Sequence, residues 1–486
     1  MVFNSFNFLY FFVPFFILYW FVTNKNIKAQ NLLILLAGYV FYAWSDWRFL
    51  AYLIGASLIN FYLGIFIEKA TNPRNKKILV NIALLQGVGG LVFFKYFNFF
   101  ITSFNDSFHL LGINLNISTL NIIIPLGISF FTFKILGYIL DINKGKIKAT
   151  TDWINFFAYV SFFPSILSGP IDSARSFLPQ LEKKRIFDYE MSSDGMRQIL
   201  WGLFKKVVIA DNCATYTNDI FDNFHILPAS SLLLGAFLFT VQLYADFSGY
   251  SDMAIGIAKL LGFKITKNFD SPFFAQNIAE FWRKWHISLT SWLTEYLFTP
   301  LSITFRDNGK WGLICAIVLN FTICGIWHGA NWTYVLYGFL HGVYFIPLIL
   351  NGTINKKKKI DNDKLLPTLR ELFNMLGTFI LVMTTLVVFR ANNIDTAFKF
   401  YQKLFSITII ARPIFSHDIS KLIFAITMLW IAMLFIIEWI QKDKEFGLNI
   451  CYIKNPFYRW VIYLFFFFSI IFFGVFENRQ FIYFQF

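Results

Sequence analysis

The chain has 486 residues, 57% of them hydrophobic, 21% aromatic and only 14% charged. A soluble chain carries about 25% charged residues, and a mean hydropathy of +0.57 with repeated apolar runs of spanning length excludes a soluble enzyme and leaves a polytopic membrane protein. The net charge of +14 does not point to nucleic acid, because the Lys and Arg residues fall in short loops between apolar runs.

Backbone groups in lipid must be satisfied within their own segment, and no ten-residue alternating pattern is present, so the predicted fold is all-α. Cys213, Cys315, Cys324 and Cys451 are scattered, with neither a disulfide framework nor metal-ligand spacing. Residues 5–22 form the first apolar run. No basic residue precedes it and no small-residue cleavage site follows, so a cleaved signal peptide is not expected. Lys25 and Lys28 place the first loop inside and the N-terminus outside.

Runs at 31–47 and 49–67 lead to a basic loop at Lys69, Arg74, Lys76 and Lys77, read as cytoplasmic. The run 78–100 precedes an external loop expected at 101–118. The run 122–141 ends before Lys144, Lys146 and Lys148. Residues 153–170 close on F-F-P-S-I-L-S-G-P-I, where Pro164, Gly169 and Pro170 exclude a straight helix and predict a kinked or re-entrant element. Lys183, Lys184 and Arg185 mark the inside again. Lys205 and Lys206, in the run 199–211, predict a helix starting at the inner interface, with an external loop at 212–228. The run 229–245 reaches Q-L-Y-A-D-F-S-G-Y-S-D, where Tyr244, Asp246, Tyr250 and Asp252 read either as an interfacial cap or as the polar lining of a site.

Residues 281–342 concentrate the chemistry. The stripe Trp282, Trp285, Leu289, Trp292, Leu293, Tyr296 and Leu297 predicts one amphipathic helix at the inner interface over 281–297. His286 lies in it. His328 follows in G-I-W-H-G-A-N-W, and His341 repeats the Gly-x-x-His-Gly pattern at Gly338 to Gly342. An imidazole in an apolar segment is a functional-site candidate, although a single one is more often a packing residue with its hydrogen bonds met. On one continuous helix the 13-residue separation of His328 and His341 would turn them to nearly opposite sides, so at most one shares a site with His286. Gly325 and Gly329 allow a neighbouring backbone to come close, which favours His328. A basic loop at 356–364, runs at 371–390, 420–439 and 459–476, and an external tail complete roughly 10–12 crossings.

Several motifs in order resemble the membrane-bound O-acyltransferase family, in its bacterial alginate and peptidoglycan O-acetyltransferase branch. They are M-V-F-N-S-F-N-F-L-Y-F-F-V-P, N-L-L-I-L-L-A-G-Y-V-F-Y-A-W, P-L-G-I-S-F-F-T-F, F-F-P-S-I-L-S-G-P-I, Y-A-D-F-S-G-Y-S-D-M-A-I-G, F-W-R-K-W-H-I-S-L-T-S-W-L and W-H-G-A-N-W. The resemblance implies helices around a central funnel or tunnel and one membrane-embedded acyltransferase domain over 1–486. Within it, 1–120 would be N-terminal helices, 121–350 the catalytic core, and 351–486 C-terminal helices and tail. It implies His328 as the essential catalytic residue and His286 as an assisting one. Phe481-x-Tyr483-x-x-Phe486 is similar to an aromatic terminal motif whose tyrosine takes the acyl group, which implies Tyr483 as a relay.

The implied reaction moves an acyl group, acetyl, from a cytoplasmic donor for O-acetylation of an extracytoplasmic polysaccharide. Acetyl-CoA is the implied donor substrate, with no bound cofactor, no metal and no assigned donor-binding residue. Membrane lipid and an extracytoplasmic acetyltransferase or esterase-like protein are the implied partners, in a bacterial inner membrane with both termini outside. Two alternatives stay open: D-alanyl transfer to teichoic acid, and a transporter or flippase without acyl chemistry.

Overall fold

The computed structural model describes residues 1–114, 117–354, 366–417, 420–476 and 481–482. Among these the chain is helical and has no strand. Eight helices are long and apolar enough to cross a membrane, and two shorter apolar ones span Phe6–Val22 and Ile27–Ala43. The expected all-helical polytopic architecture is what the chain adopts.

The chain divides into two compact units. The first comprises Met1–Ser193 and Ile257–Thr266. At its centre the Ile128–Asn143 helix is buried along almost its whole length. Against it lies the break expected from Pro164, Gly169 and Pro170. The Trp153–Val160 helix stops, and residues 161–173 run on without helix before Ala174–Glu182 begins. This irregular backbone is buried in protein, the condition under which it is tolerated at membrane depth. Gly127 (φ 71°) starts the central helix in a left-handed conformation, and a Cβ there would stand 2.6 Å from the Ile166 carbonyl oxygen, so glycine lets the helix meet the irregular strand of chain. Lys134, fully enclosed, donates to Ser165 Oγ at 2.7 Å and to the Tyr159 carbonyl at 3.3 Å. Tyr19 and Trp20 donate to the carbonyls of Leu261 and Leu260. Arg185 is held by Gln30 and Asn31.

The second unit comprises Asp194–Gly256 and Lys267–Phe486. Lys205 and Lys206 do not sit at an interface, as their place in mid-run suggested. They are buried on a π-helical segment, Phe204–Ala210, whose wider turn sends adjacent lysines to different partners. Lys205 pairs with Asp252 at 2.6 Å, and Lys206 with Asp211 at 2.9 Å and Asp246 at 2.8 Å. The loop expected at 212–228 is mostly the Asp211–Asp222 helix. It has Asp211 in its first turn and buries Cys213, Tyr216 and Ile220 at helical spacing. In the first unit, likewise, 101–110 continues the helix, because no Pro or Gly interrupts it before Gly112 (φ 76°).

The Gly309–His328 and Trp332–Val343 helices form an antiparallel pair through their repeated glycines. A Cβ on Gly325 would lie 2.2 Å from the Tyr334 carbonyl oxygen and 2.9 Å from Gly338 Cα, and one on Gly338 would lie 2.2 Å from the Phe321 carbonyl oxygen. The close approach anticipated for Gly325 is therefore made by the second Gly-x-x-His-Gly motif. Gly325→Val should force the two helices apart and lower the melting temperature of solubilised protein by about 2–6 °C. Gly377, where an added Cβ meets nothing within 4 Å, should tolerate Ala without loss. Scanning fluorimetry of both variants checks this; equal melting temperatures would remove the close-packing argument.

Candidate active site

The helix expected over 281–297 is broken at the histidine. Ile278–Lys284 ends, His286 takes a left-handed conformation (φ 45°), and Ile287–Leu293 starts again. A left-handed residue with a Cβ costs roughly 1–2 kcal/mol, so its surroundings must hold it. Two backbone bonds do so: Ile287 N–H to the Asn268 carbonyl at 2.9 Å, and Asp270 N–H to the Lys284 carbonyl at 3.0 Å. The stripe is apolar and inward-facing: Phe281, Trp282, Trp285 and Leu289 are all buried. They line the interior of the unit rather than a membrane surface.

Asn268 also sets the imidazole. Its Oδ1 accepts from Ser288 Oγ at 2.7 Å and Ser288 N–H at 3.3 Å, while its Nδ2 donates to Ser251 Oγ at 3.2 Å. With the amide oriented this way, His286 Nδ1, 3.2 Å from Oδ1, must carry the proton and donate it. Nε2 then holds the lone pair. Burial pushes the pKa of His286 down to about 3, because a charged ring is poorly solvated there. The ring is neutral at physiological pH.

His328 is the last residue of its helix, and Gly329 continues in extended backbone (φ −173°). The imidazole therefore sits at a helix end, where the chain turns before Trp332. Its ring centroid is 5.0 Å from Trp327, 5.3 Å from Phe389 and 6.0 Å from Tyr337. Trp327 is also 6.0 Å from His286, so one indole touches both imidazoles. On the other side of His286 lies Phe247 at 4.6 Å.

His341 belongs to the following helix, not to a continuation of the one that carries His328. It accepts from Trp282 Nε1 at 3.2 Å and bonds Thr385 Oγ1 at 3.1 Å. Both ring nitrogens are engaged in packing, so His286 and His328 are brought together and His341 stays a structural link. Tyr483 lies outside the described residues. Phe481 and Ile482, just before it, are buried within this unit. Phe481 stands 4.9 Å from Tyr250 and 5.9 Å from Phe247.

The polar residues from Tyr244 to Asp252 lie midway along the Ala229–Leu260 helix and divide between two surroundings. Tyr244 and Asp252 line a polar cleft with about 430 Å³ of empty space, counting its open mouth, together with Lys205, Asn268, Glu438 and Lys444. Asp246 pairs with Lys206, and Tyr250 packs against Phe481. Tyr244 donates to Glu438 at 2.5 Å. Asn268 and Glu438 were missed from sequence. Glu438 carried a signal, an acid in an apolar run; Asn268, in an ordinary loop, carried none.

Two buried imidazoles, His286 and His328, thus flank one indole inside a wall of aromatic rings, and imidazole is the side chain suited to take and return a proton. Residues 146–383 match the model of the MBOAT, membrane-bound O-acyltransferase, family. The chain is 35% identical over 412 residues to the probable alginate O-acetylase of Pseudomonas putida, covering 84% of this chain and 80% of that protein. It is 32% identical over 435 residues to the peptidoglycan O-acetyltransferase of Helicobacter pylori, covering 82% and 79%. It is 31% identical to the teichoic acid D-alanyltransferase of Streptococcus thermophilus, covering 54% and 67%. The chain belongs to the membrane-bound O-acyltransferase family and is an O-acyltransferase.

Asn268→Ala removes the oxygen that selects the His286 tautomer and that Ser288 Oγ and N–H both donate to. Acyl transfer should fall roughly 10- to 100-fold through misplacement of the ring, while Asn268→Gln, which keeps the amide, should lose less. Initial rates on the purified variants check this, and an unchanged rate for Asn268→Ala would detach Asn268 from the site.

Proposed function

We propose that this O-acyltransferase takes an acetyl group from acetyl-CoA on the cytoplasmic side of a bacterial inner membrane and delivers it for O-acetylation of an extracytoplasmic polysaccharide. The observation that carries the reading is the pairing of His286 and His328 across Trp327 in an aromatic enclosure. In this reading His328 is the catalytic base. It accepts the proton of an attacking hydroxyl as that oxygen bonds to the acyl carbonyl carbon. The carbon–sulfur bond breaks, and the proton returns to the departing thiolate. His286, with its lone pair on Nε2, assists as a neutral imidazole. The aromatic wall keeps water from hydrolysing the donor.

Tyr483 is the proposed first acceptor. A phenol has a pKa of about 10 and needs a base, which His328 supplies. The burial of Phe481 against Phe247, which itself touches His286, and of Ile482 against Asp246 supports this, because it brings the chain to within one residue of Tyr483. The acetyl group then passes to a separate extracytoplasmic acetyltransferase or esterase-like protein that holds the polymer, with both termini of the present chain on the outer side. The relatives named for alginate and peptidoglycan O-acetylation match more than four-fifths of the chain, and the teichoic acid relative about half. That difference favours acetyl transfer to polysaccharide over D-alanyl transfer.

The test is intact and peptide mass spectrometry after exposure to acetyl-CoA. Wild type should gain one acetyl group on the peptide containing Tyr483, and both His328→Ala and Tyr483→Phe should lose it. An adduct that persists in Tyr483→Phe would move the acceptor elsewhere. An adduct that persists in His328→Ala would remove it as the base.

A further inference from the structure

The buried ion pairs of the second unit have one contact that charge balance does not require. Asp246 Oδ1 is 2.8 Å from Lys206 Nζ, whose other partner is Asp211 at 2.9 Å. Asp246 Oδ2 instead accepts the backbone N–H of Ile482 at 2.9 Å. This bond joins residues 236 positions apart and is buried. It binds main chain, so it sets where the segment sits along its path without regard to side-chain identity.

The approach to this contact is also fixed. After the Pro456–Phe473 helix ends, Val475 N–H donates to the Val207 carbonyl at 3.0 Å, and Asn212 Nδ2 donates to the Phe473 carbonyl at 2.9 Å. Those acceptors and donors belong to the same π-helical segment and helix that carry Lys206 and Asp211. Phe481 then fills the space against Phe247 and Tyr250, one and four residues along the Asp246 helix, and Phe247 touches His286.

We infer that Asp246, paired with Lys206, is the positioning residue that seats the segment after the last spanning helix beside His286. A carboxylate acceptor suits this task. A charge-assisted hydrogen bond is worth about twice a neutral one, and Lys206 compensates the charge that burial would otherwise penalise. Asp246 acts on the segment's placement and not on the reacting atoms. The inference stands on these contacts and does not depend on the chemical role of Tyr483.

Trypsin supplies a readout independent of acyl transfer, because Arg479 lies two residues before Phe481. Cleavage after Arg479 tracks the fraction of time the segment is released. Ile482→Pro deletes the N–H donor and leaves both members of the Lys206–Asp246 pair in place. It should be cut roughly 10- to 100-fold faster than wild type, as expected for loss of a hydrogen bond to a charged group. Ile482→Val, which keeps the donor, should be cut at the wild-type rate. Asp246→Ala should match Ile482→Pro, and combining the two should add nothing further. Equal cleavage of Ile482→Pro and Ile482→Val, or additive effects of Asp246→Ala and Ile482→Pro, would overturn the inference. Neither result bears on whether an acetyl group is transferred.

Discussion

Lys206 sits between Asp211 and Asp246 in the interior of a chain that is 57% hydrophobic. Taking these charges out of water costs several kcal/mol per ion, and the expense is offset only if the partners lie where each ion is buried. Much of the second unit follows from that. The π-helical turn at Phe204–Ala210 turns Lys205 toward Asp252 and Lys206 toward Asp246. The Ala229–Leu260 helix must therefore present both acids on the side facing the lysines. Phe247 and Tyr250 come with them, and so does the floor against which His286 and Phe481 rest.

The same rule governs the other buried polar groups. Asn268 satisfies His286, Ser288 and Ser251 at once, and in doing so selects one tautomer of the imidazole. Lys134 in the first unit is met by Ser165 and a carbonyl from the irregular stretch 161–173. In each case a break in regular helix supplies the partner. Broken backbone and buried polarity are thus two sides of one arrangement: the break frees hydrogen-bonding groups, and the polar side chains use them.

Catalysis by O-acyl transfer needs a base that is not solvated and a donor that is not hydrolysed. In the reaction proposed for this chain, the aromatic enclosure of Trp327, Phe389, Tyr337 and Phe247 would serve both needs through the same surfaces. The repeated glycines contribute indirectly. By letting the Gly309–His328 and Trp332–Val343 helices touch at Gly325 and Gly338, they fix the helix end at which His328 is presented.

The sequence alone determined the class of fold, because spanning length and the absence of charge in a run follow from composition and need no partner. It also singled out His286 and His328, since an imidazole among tryptophans is costly wherever the chain places it. Pro164, Gly169 and Pro170 announced the first unit's break for a similarly local reason. Only the tertiary structure decided which polar groups meet. The break at His286 carries no Pro or Gly and depends on Asn268, which lies 18 residues earlier in an unremarkable loop. Lys205 and Lys206 read as interfacial because Asp252 and Asp246, the acids that draw them inward, lie 47 and 40 residues on. His341 matched the His328 motif and was separated from it only by its bonds to Trp282 and Thr385. Pairing across such distances is set by how helices pack, and no local pattern records it.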